Sequence, residues 1–441
     1  MKKFFLIALA LGMSLSLHAK GGIETVIGDS TKTHVFTFGA DLKTRGEYLH
    51  GALPDTPATM AAFISERTRL YFHYKQPYLE VQITPQHAGT WGTSGGGTFS
   101  LREAWAQTDY KGAFLKLGRQ TLSYDDERII GSDDWSMTGA YHDCMKIGYE
   151  GFGHKVHVIG AYNQNDDHNL GGTYYKDGAQ IYKNMQTLWY HYDAPRWFSA
   201  SLLFINTGMQ SVMERKLDTT YYQQLIGTYL KFNYPGSTGW WLTWDASFYY
   251  QMGYTEYAIP LNAWMAATEA RAQACDNLRL NAGYFILSGD DNYTVPPPGA
   301  FGLQVHDRDR SFNLLYGSHH EFYGAMDFFY LQGFYGGYSP GLQDWHLGAT
   351  FLWKDQVDVT ATYHALATAV RVQHAPSKFL GNELELSANY RPFSWLSLNA
   401  GYTFMHGTET MKILKRATDR NTSHWVYFQV IFNPTFLTVK F

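Results

Sequence analysis

The feature that most constrains this chain is a two-residue alternation of apolar and polar side chains, repeated in segments of about ten residues along its length. From Leu278 to Ser288, Leu278, Leu280, Ala282, Tyr284 and Ile286 share one face, and Arg279, Asn281 and Gly283 share the other. From Glu383 to Arg391, Leu384, Leu386, Ala388 and Tyr390 stand against Glu383, Glu385, Ser387, Asn389 and Arg391. Near the start, Phe36, Phe38, Ala40 and Leu42 stand against Asp41, Lys43, Arg45 and Glu47. Successive side chains of a strand point to opposite faces, so each segment has one greasy and one charged side. Beyond the first residues, the chain holds no apolar run of the roughly twenty residues a membrane helix needs. Aromatic residues make up 17 % of the chain, high for a soluble domain and suited to membrane girdles. The pattern predicts an all-β fold, a transmembrane antiparallel β-barrel of about 18 strands in a bacterial outer membrane.

The N-terminus reads as a targeting segment. Lys2 and Lys3 precede the apolar stretch Phe4 to Leu17, and Leu17-His18-Ala19 approximates a small-residue cleavage site. Residues 1–19 are expected to be a signal peptide and 20–441 the barrel. Cys144 and Cys275 are the only cysteines, too few for a disulfide framework or a zinc site.

Connections alternate short and long, as in barrels with short periplasmic turns and long extracellular loops. Short turns are expected near Gln76-Pro77, Lys111-Gly112, Gly151 to Gly153, Ala194-Pro195, Pro235 to Gly239 and Ala274 to Asp276. Long loops fall near 51–62, 88–98, 122–140, 165–180, 208–219 and 252–260. Residues 320–332 resemble a strand, but counting them makes the total odd and inverts every later turn. Treating 289–341, with its Pro296-Pro297-Pro298 run, as one long outer segment restores an even count of about eighteen. Phe328-Phe329 then belongs to a loop element that can fold into the lumen. The end is ambiguous: Pro434 follows the last alternating segment, and residues 434–441 read equally as a tail or a bent extension.

Specific residues then resemble a known family. Gly118-Arg119-Gln120 ends one strand; Tyr124, Asp126, Arg128, Ile129, Ile130, Gly131 and Trp135 follow, and Asp143 enters the next strand. Downstream come Phe312 to Gly317, then His320, Phe322, Tyr323, Gly324, Met326 and Asp327, then Leu380 to Leu386 and His424 to Gln429. The combination resembles the alginate export family of outer-membrane barrels. That resemblance implies a monomeric eighteen-stranded barrel and export of an anionic polysaccharide through a lumen lined by basic residues.

Arginine suits a uronic-acid chain, being permanently charged and forked for carboxylates. Candidate lumen residues are Lys43, Arg45, Arg67, Arg69, Tyr71, Arg119, Asp126, Arg128, Arg279, Glu383, Glu385 and Arg391. Asp41, Glu47, Glu80, Asp245 and Asp358 also fall on polar faces, so the lumen reads as mixed in sign. Arg67 and Arg69 read either as a carboxylate ladder or as ion pairs with Glu47 or Glu80 that hold the barrel's shape. The cluster Asp125 to Arg128 with Asp133-Asp134 lacks calcium-loop spacing and suggests a salt-bridged constriction loop. His319-His320-Glu321 reads as a turn with a solvated histidine pair.

No nucleotide-binding fingerprint or local nucleophile–base motif appears, so no enzyme activity, cofactor or metal is expected. The net charge of −4 gives nucleic-acid binding no support. The expected function is passive passage of a saccharide, most specifically an acidic one of the alginate type. The alternatives are a general small-solute porin and, third, a surface adhesin. Expected partners are outer-membrane lipid, the saccharide cargo and periplasmic export or uptake proteins.

Overall fold

The computed structural model describes residues 33–51, 60–164, 180–211, 219–235, 241–290, 308–329, 339–415 and 421–441, with the backbone of 26–27. The expected signal peptide and the triple-proline run lie outside the described residues. The strands are β1 (Val26–Ile27), β2 (Val35–His50), β3 (Met60–Gln76), β4 (Leu79–Thr90), β5 (Thr98–Tyr110), β6 (Ala113–Gln120) and β7 (His142–Gly151). They continue as β8 (His154–Tyr162), β9 (Asn184–Ala194), β10 (Phe198–Gln210), β11 (Thr220–Pro235), β12 (Trp241–Tyr254), β13 (Pro260–Cys275) and β14 (Leu278–Leu287). The last are β15 (Leu342–Trp353), β16 (Val357–Ala367), β17 (Phe379–Phe393), β18 (Leu396–Gly407), β19 (Thr422–Phe432) and β20 (Thr435–Lys440). A single helix among the described residues, α1 (Glu409–Lys415), sits in the last long loop.

From β2 to β19 each strand pairs antiparallel with the next, and β19 returns to β2 with His424 opposite His50 and Phe432 opposite Leu42. These eighteen strands close the barrel and abolish its edges. β20 resolves the ambiguous end as a bent extension. It continues along the same edge of β2, pairing Lys440 with Val35 and Thr435 with Gly39. The break is at Pro434, which has no N–H to give the ladder; its carbonyl instead accepts the Ala40 N–H at 3.0 Å.

The burial pattern is inside out. Leu117, Leu202 and Leu347 are 57–63 % exposed on the outer surface, whereas Arg67 is 1 % and Asp344 and Glu383 are 0 % exposed. A soluble fold would invert this; only a lipid-facing exterior explains it. Tyr78, Tyr110, Phe152, Trp197, Tyr234, Trp353 and Phe393 ring the short-turn end, and Tyr48, Tyr162, Tyr222 and Tyr254 the other, where amphipathic rings favour the headgroup level.

The interior is divided. Towards the long-loop end it holds a dry cluster including Ile159, Met185, Ile205, Leu225, Tyr249, Met265 and Phe285. Leu122, Ile129 and Ile130 of one loop and Phe312, Tyr316 and Tyr323 of another complete it. Alternation gives each strand a polar face, and this patch departs from it where the inserted loops pack their apolar side chains against the strands. Residues 308–329 form no membrane strand; their one regular element is a short 3-10 turn at His319–Glu321. They lie inside the barrel, bonded to strands on several sides.

Candidate functional site: a lumen constricted by two loops

The first inserted loop joins β6 to β7. Its entry explains the Gly118-Arg119-Gln120 run. Gly118 has φ +119° and lies so close to the Ala104 carbonyl that no Cβ fits. Gln120 points inward and donates to the Cys144 carbonyl at 3.1 Å. Arg119 corrects the sequence expectation. It shares the outward face with Leu115 and Leu117, and forks onto Asp143 with two 2.8 Å bonds on the barrel's outer surface.

Glu127 ties the two loops together. Its carboxylate accepts from the Ser132 N–H at 2.9 Å, Ser132 Oγ at 3.0 Å and Ser318 Oγ at 2.7 Å. Burial alone would raise its pKa, but these donors hold it below the usual glutamate range. Isolated backbone bonds reinforce the tie: Tyr316 N–H to Ile129 O at 3.0 Å and Gly131 N–H to Tyr316 O at 2.8 Å. Arg128 is buried, pairs with Asp126 at 3.2 Å and lies 4.1 Å over the Phe322 ring. Asp125 accepts from the Trp189 indole at 3.1 Å, and burial pushes its carboxyl up to about 6.

The tip of this loop crosses to β2, β3 and β5. Asp134 takes Arg69 Nη1 at 2.6 Å, Arg67 Nη1 at 3.0 Å and Lys43 Nζ at 3.7 Å. Arg45 donates to the Trp135 carbonyl at 3.0 Å, and Arg102 to the carbonyls of Ser132 and Ala140. Burial would raise the Asp134 pKa, but Lys43, Arg67 and Arg69 outweigh it and hold the carboxyl at about 2. Arg67 also forks onto Asp41 at 2.7 Å, and Arg45 pairs with Glu47 at 2.7 Å. Neither Glu47 nor Glu80 pairs with the two arginines as expected; Glu80 takes His73 and Lys75 instead. Tyr71 follows on the same inward row of β3.

The opposite wall carries acids and histidines. Strand pairing places Asp245, Glu269, Gly283, His346, His364 and Glu383 in one lateral row from β12 to β17. Arg271 bridges Asp245 at 2.5 Å and Glu269 at 3.0 Å. Glu385 and Glu383 accept the backbone N–H groups of Ala325 at 2.8 Å and Met326 at 3.2 Å, docking the second loop.

Trp135 and His320 join the loops across the middle, their rings stacked 4.2 Å apart at 4°. The Arg45 guanidinium lies 4.2 Å from the Trp135 ring, and His320 bonds Asp327 at 2.7 Å. His319 bonds the Leu314 carbonyl at 3.1 Å, so the histidine pair is packed, contrary to the solvated turn expected. A cavity of about 450 Å³ remains between this stack and the acid–histidine wall.

Of the expected lumen residues, Lys43, Arg45, Arg67, Arg69 and Tyr71 gather on one wall, Asp126 and Arg128 at the base of the first loop, and Glu383 and Glu385 on the other wall. Arg279 and Arg391 point inward but stand apart at the short-turn end, where Arg279 bonds Gln273 and Arg391 pairs with Asp358. Alternation alone does not single out Arg102, Glu269, Arg271, Asp344, His346 or His364. Their signal lay in cross-strand neighbours, which a single strand does not reveal.

No family model and no curated protein matches the chain. Solved structures do. The chain is similar to Pseudomonas aeruginosa OccK9 (OpdG), at 13 % identity and TM-score 0.61, over 91 % of this chain and 98 % of that one. It is similar to Acinetobacter baumannii OccAB1, at 10 % identity and TM-score 0.63, over 94 % and 100 %. Pseudomonas aeruginosa OccK3 (OpdO) gives 12 % identity and TM-score 0.57, over 90 % and 96 %. At such identities the likeness is one of fold: the chain shares the closed antiparallel barrel of these proteins, and its lipid-facing exterior places it in the bacterial outer membrane.

Proposed function

We propose that this protein is an outer-membrane channel for passive passage of small polar solutes, acting as a monomer surrounded by lipid. The observation that carries this reading is the pair of inserted loops, which narrow the interior to a cavity of about 450 Å³ between the Trp135–His320 stack and the acid–histidine wall. Charges of both signs line this cavity, Arg128 and Arg271 with Glu269 and Glu385, and in a low-dielectric constriction they focus the field and orient a dipolar or charged solute. A lumen filled to this extent by two loops suits small solutes better than a thick polymer. The more specific reading is an acidic saccharide of the alginate type. Its support is the motif resemblance together with the Arg45 guanidinium over the Trp135 ring and the Trp425 and Tyr427 rings beside it, which suit carboxylates and sugar faces. Periplasmic partners belong to that second reading.

Conductance of the purified protein in planar bilayers tests both. Steady ohmic steps are expected, and absence of any conductance overturns the channel. Block by added oligouronates supports the acidic saccharide; current indifferent to them leaves the small-solute channel alone.

A further inference from the structure

We propose that Asp344, His346 and His364 form a binding site for a divalent transition-metal ion on the lumen wall. The pairing of β15 with β16 sets His346 opposite His364, and alternation puts Asp344 on the same face as His346. One donor atom from each lies within 4.8 Å of the others. Both imidazoles aim Nδ1 at the same Asp344 oxygen, Oδ2, at 2.9 Å.

The second observation is the other oxygen. Asp344 is fully buried, yet its Oδ1 has no hydrogen-bond partner. Two imidazoles crowded onto one oxygen while its neighbour stays idle is a poor hydrogen-bonding solution. A cation shared by the three side chains removes the conflict. The outer ring nitrogens fit this arrangement: His364 Nε2 faces Glu385 at 3.4 Å, and His346 Nε2 faces Glu269 at 3.8 Å. Metal-bound histidines commonly present their second nitrogen to a carboxylate, which fixes the tautomer. His346 reaches Glu269 across β14 because Gly283 leaves the gap; a Cβ there would overlap the ring.

Two imidazoles and one carboxylate suit zinc, nickel, copper or cobalt; magnesium and calcium prefer all-oxygen shells. Bonds of about 2.0–2.1 Å separate tetrahedral donors by about 3.3 Å, so the present contacts need open only slightly. The cavity reaches both histidines, giving an entry path and room for water as a further ligand.

The test uses the full-length folded barrel in detergent, stripped with chelator and titrated with cobalt(II), then zinc(II). One equivalent of cobalt should produce visible absorption bands, and one equivalent of zinc should displace them. Asp344→Asn and His364→Ala should each weaken binding at least about tenfold, while His191→Ala, outside the site, should leave it unchanged. If His364→Ala does not fold, the isosteric Asp344→Asn carries the test. Absence of stoichiometric binding, or equal binding by wild type and Asp344→Asn, overturns the site.

Discussion

The two charged walls of the lumen satisfy their charges in different ways. On β2, β3 and β5, cations outnumber acids, and the balance comes from a loop: Asp134 and the carbonyls of Ser132, Trp135, Thr138 and Ala140 reach across to them. On β12 to β17 the acids find partners within the sheet: Arg271 meets Asp245 and Glu269, and His346 and His364 meet Asp344, Glu269 and Glu385. The first wall therefore depends on a segment distant in sequence, and the second mainly on neighbouring hairpins, with Glu383 and Glu385 also holding the second loop. Disturbing the first should change the pore's shape as well as its charge; disturbing the second should change mainly charge at Arg271 and mainly the seating of the second loop at Glu383.

The sharpest break is Arg67→Ala. It leaves Asp41 buried without its forked partner, and loss of one member of a buried pair costs about 3–5 kcal/mol. Denaturant unfolding followed by tryptophan fluorescence should show that drop, and an unchanged midpoint would refute the pairing. Arg67→Glu with Arg69→Glu should swing the channel towards cations and release the first loop. The reversal potential in a salt gradient reads this, and an unchanged value would remove both residues from the conducting path.

Glu383→Ala comes next. It strips the Met326 N–H of its acceptor, a loss of about 1–3 kcal/mol. The second loop should then dock less stably and the current become noisier, with ion preference shifting little. A quiet trace identical to wild type would mean that other contacts hold the loop.

The first loop should also respond to acid. The Asp134 carboxyl is held at about 2, below the roughly 3.9 of an unfolded chain. Its contribution is complete above about pH 4 and is lost as pH falls through about 2. Protease protection of the loop should persist at pH 4 and fail only near the lower limit; release near pH 5 would contradict the pairing. The smallest effect is expected of Gly283→Ala, which pushes His346 away from Glu269 and should shift ion preference modestly while leaving unfolding of the basic wall unchanged.

Much of this was legible from residues alone. The sequence reading brackets the eighteen strands, and the even count excludes residues 320–332 as a spanning strand. The polar faces of β2, β3 and β17 emerge as inward faces. Where the reading fails, it does so by parity or by register. Arg119 follows Leu115 and Leu117 on the outward face, a placement the alternation already implied. The His346–His364 pairing needed the register of two strands, and the Asp134 bridge needed the path of a loop.

A period of two tells which residues face lipid, because each strand carries that signal within itself. Strand number, topology and the inside-out distribution of charge follow from it. Which inward residues meet is decided by cross-strand register and by where the long loops dock. Those contacts join residues tens to hundreds of positions apart, and no local pattern records them. The constriction, its two walls and the histidine–carboxylate cluster are accordingly products of the tertiary structure.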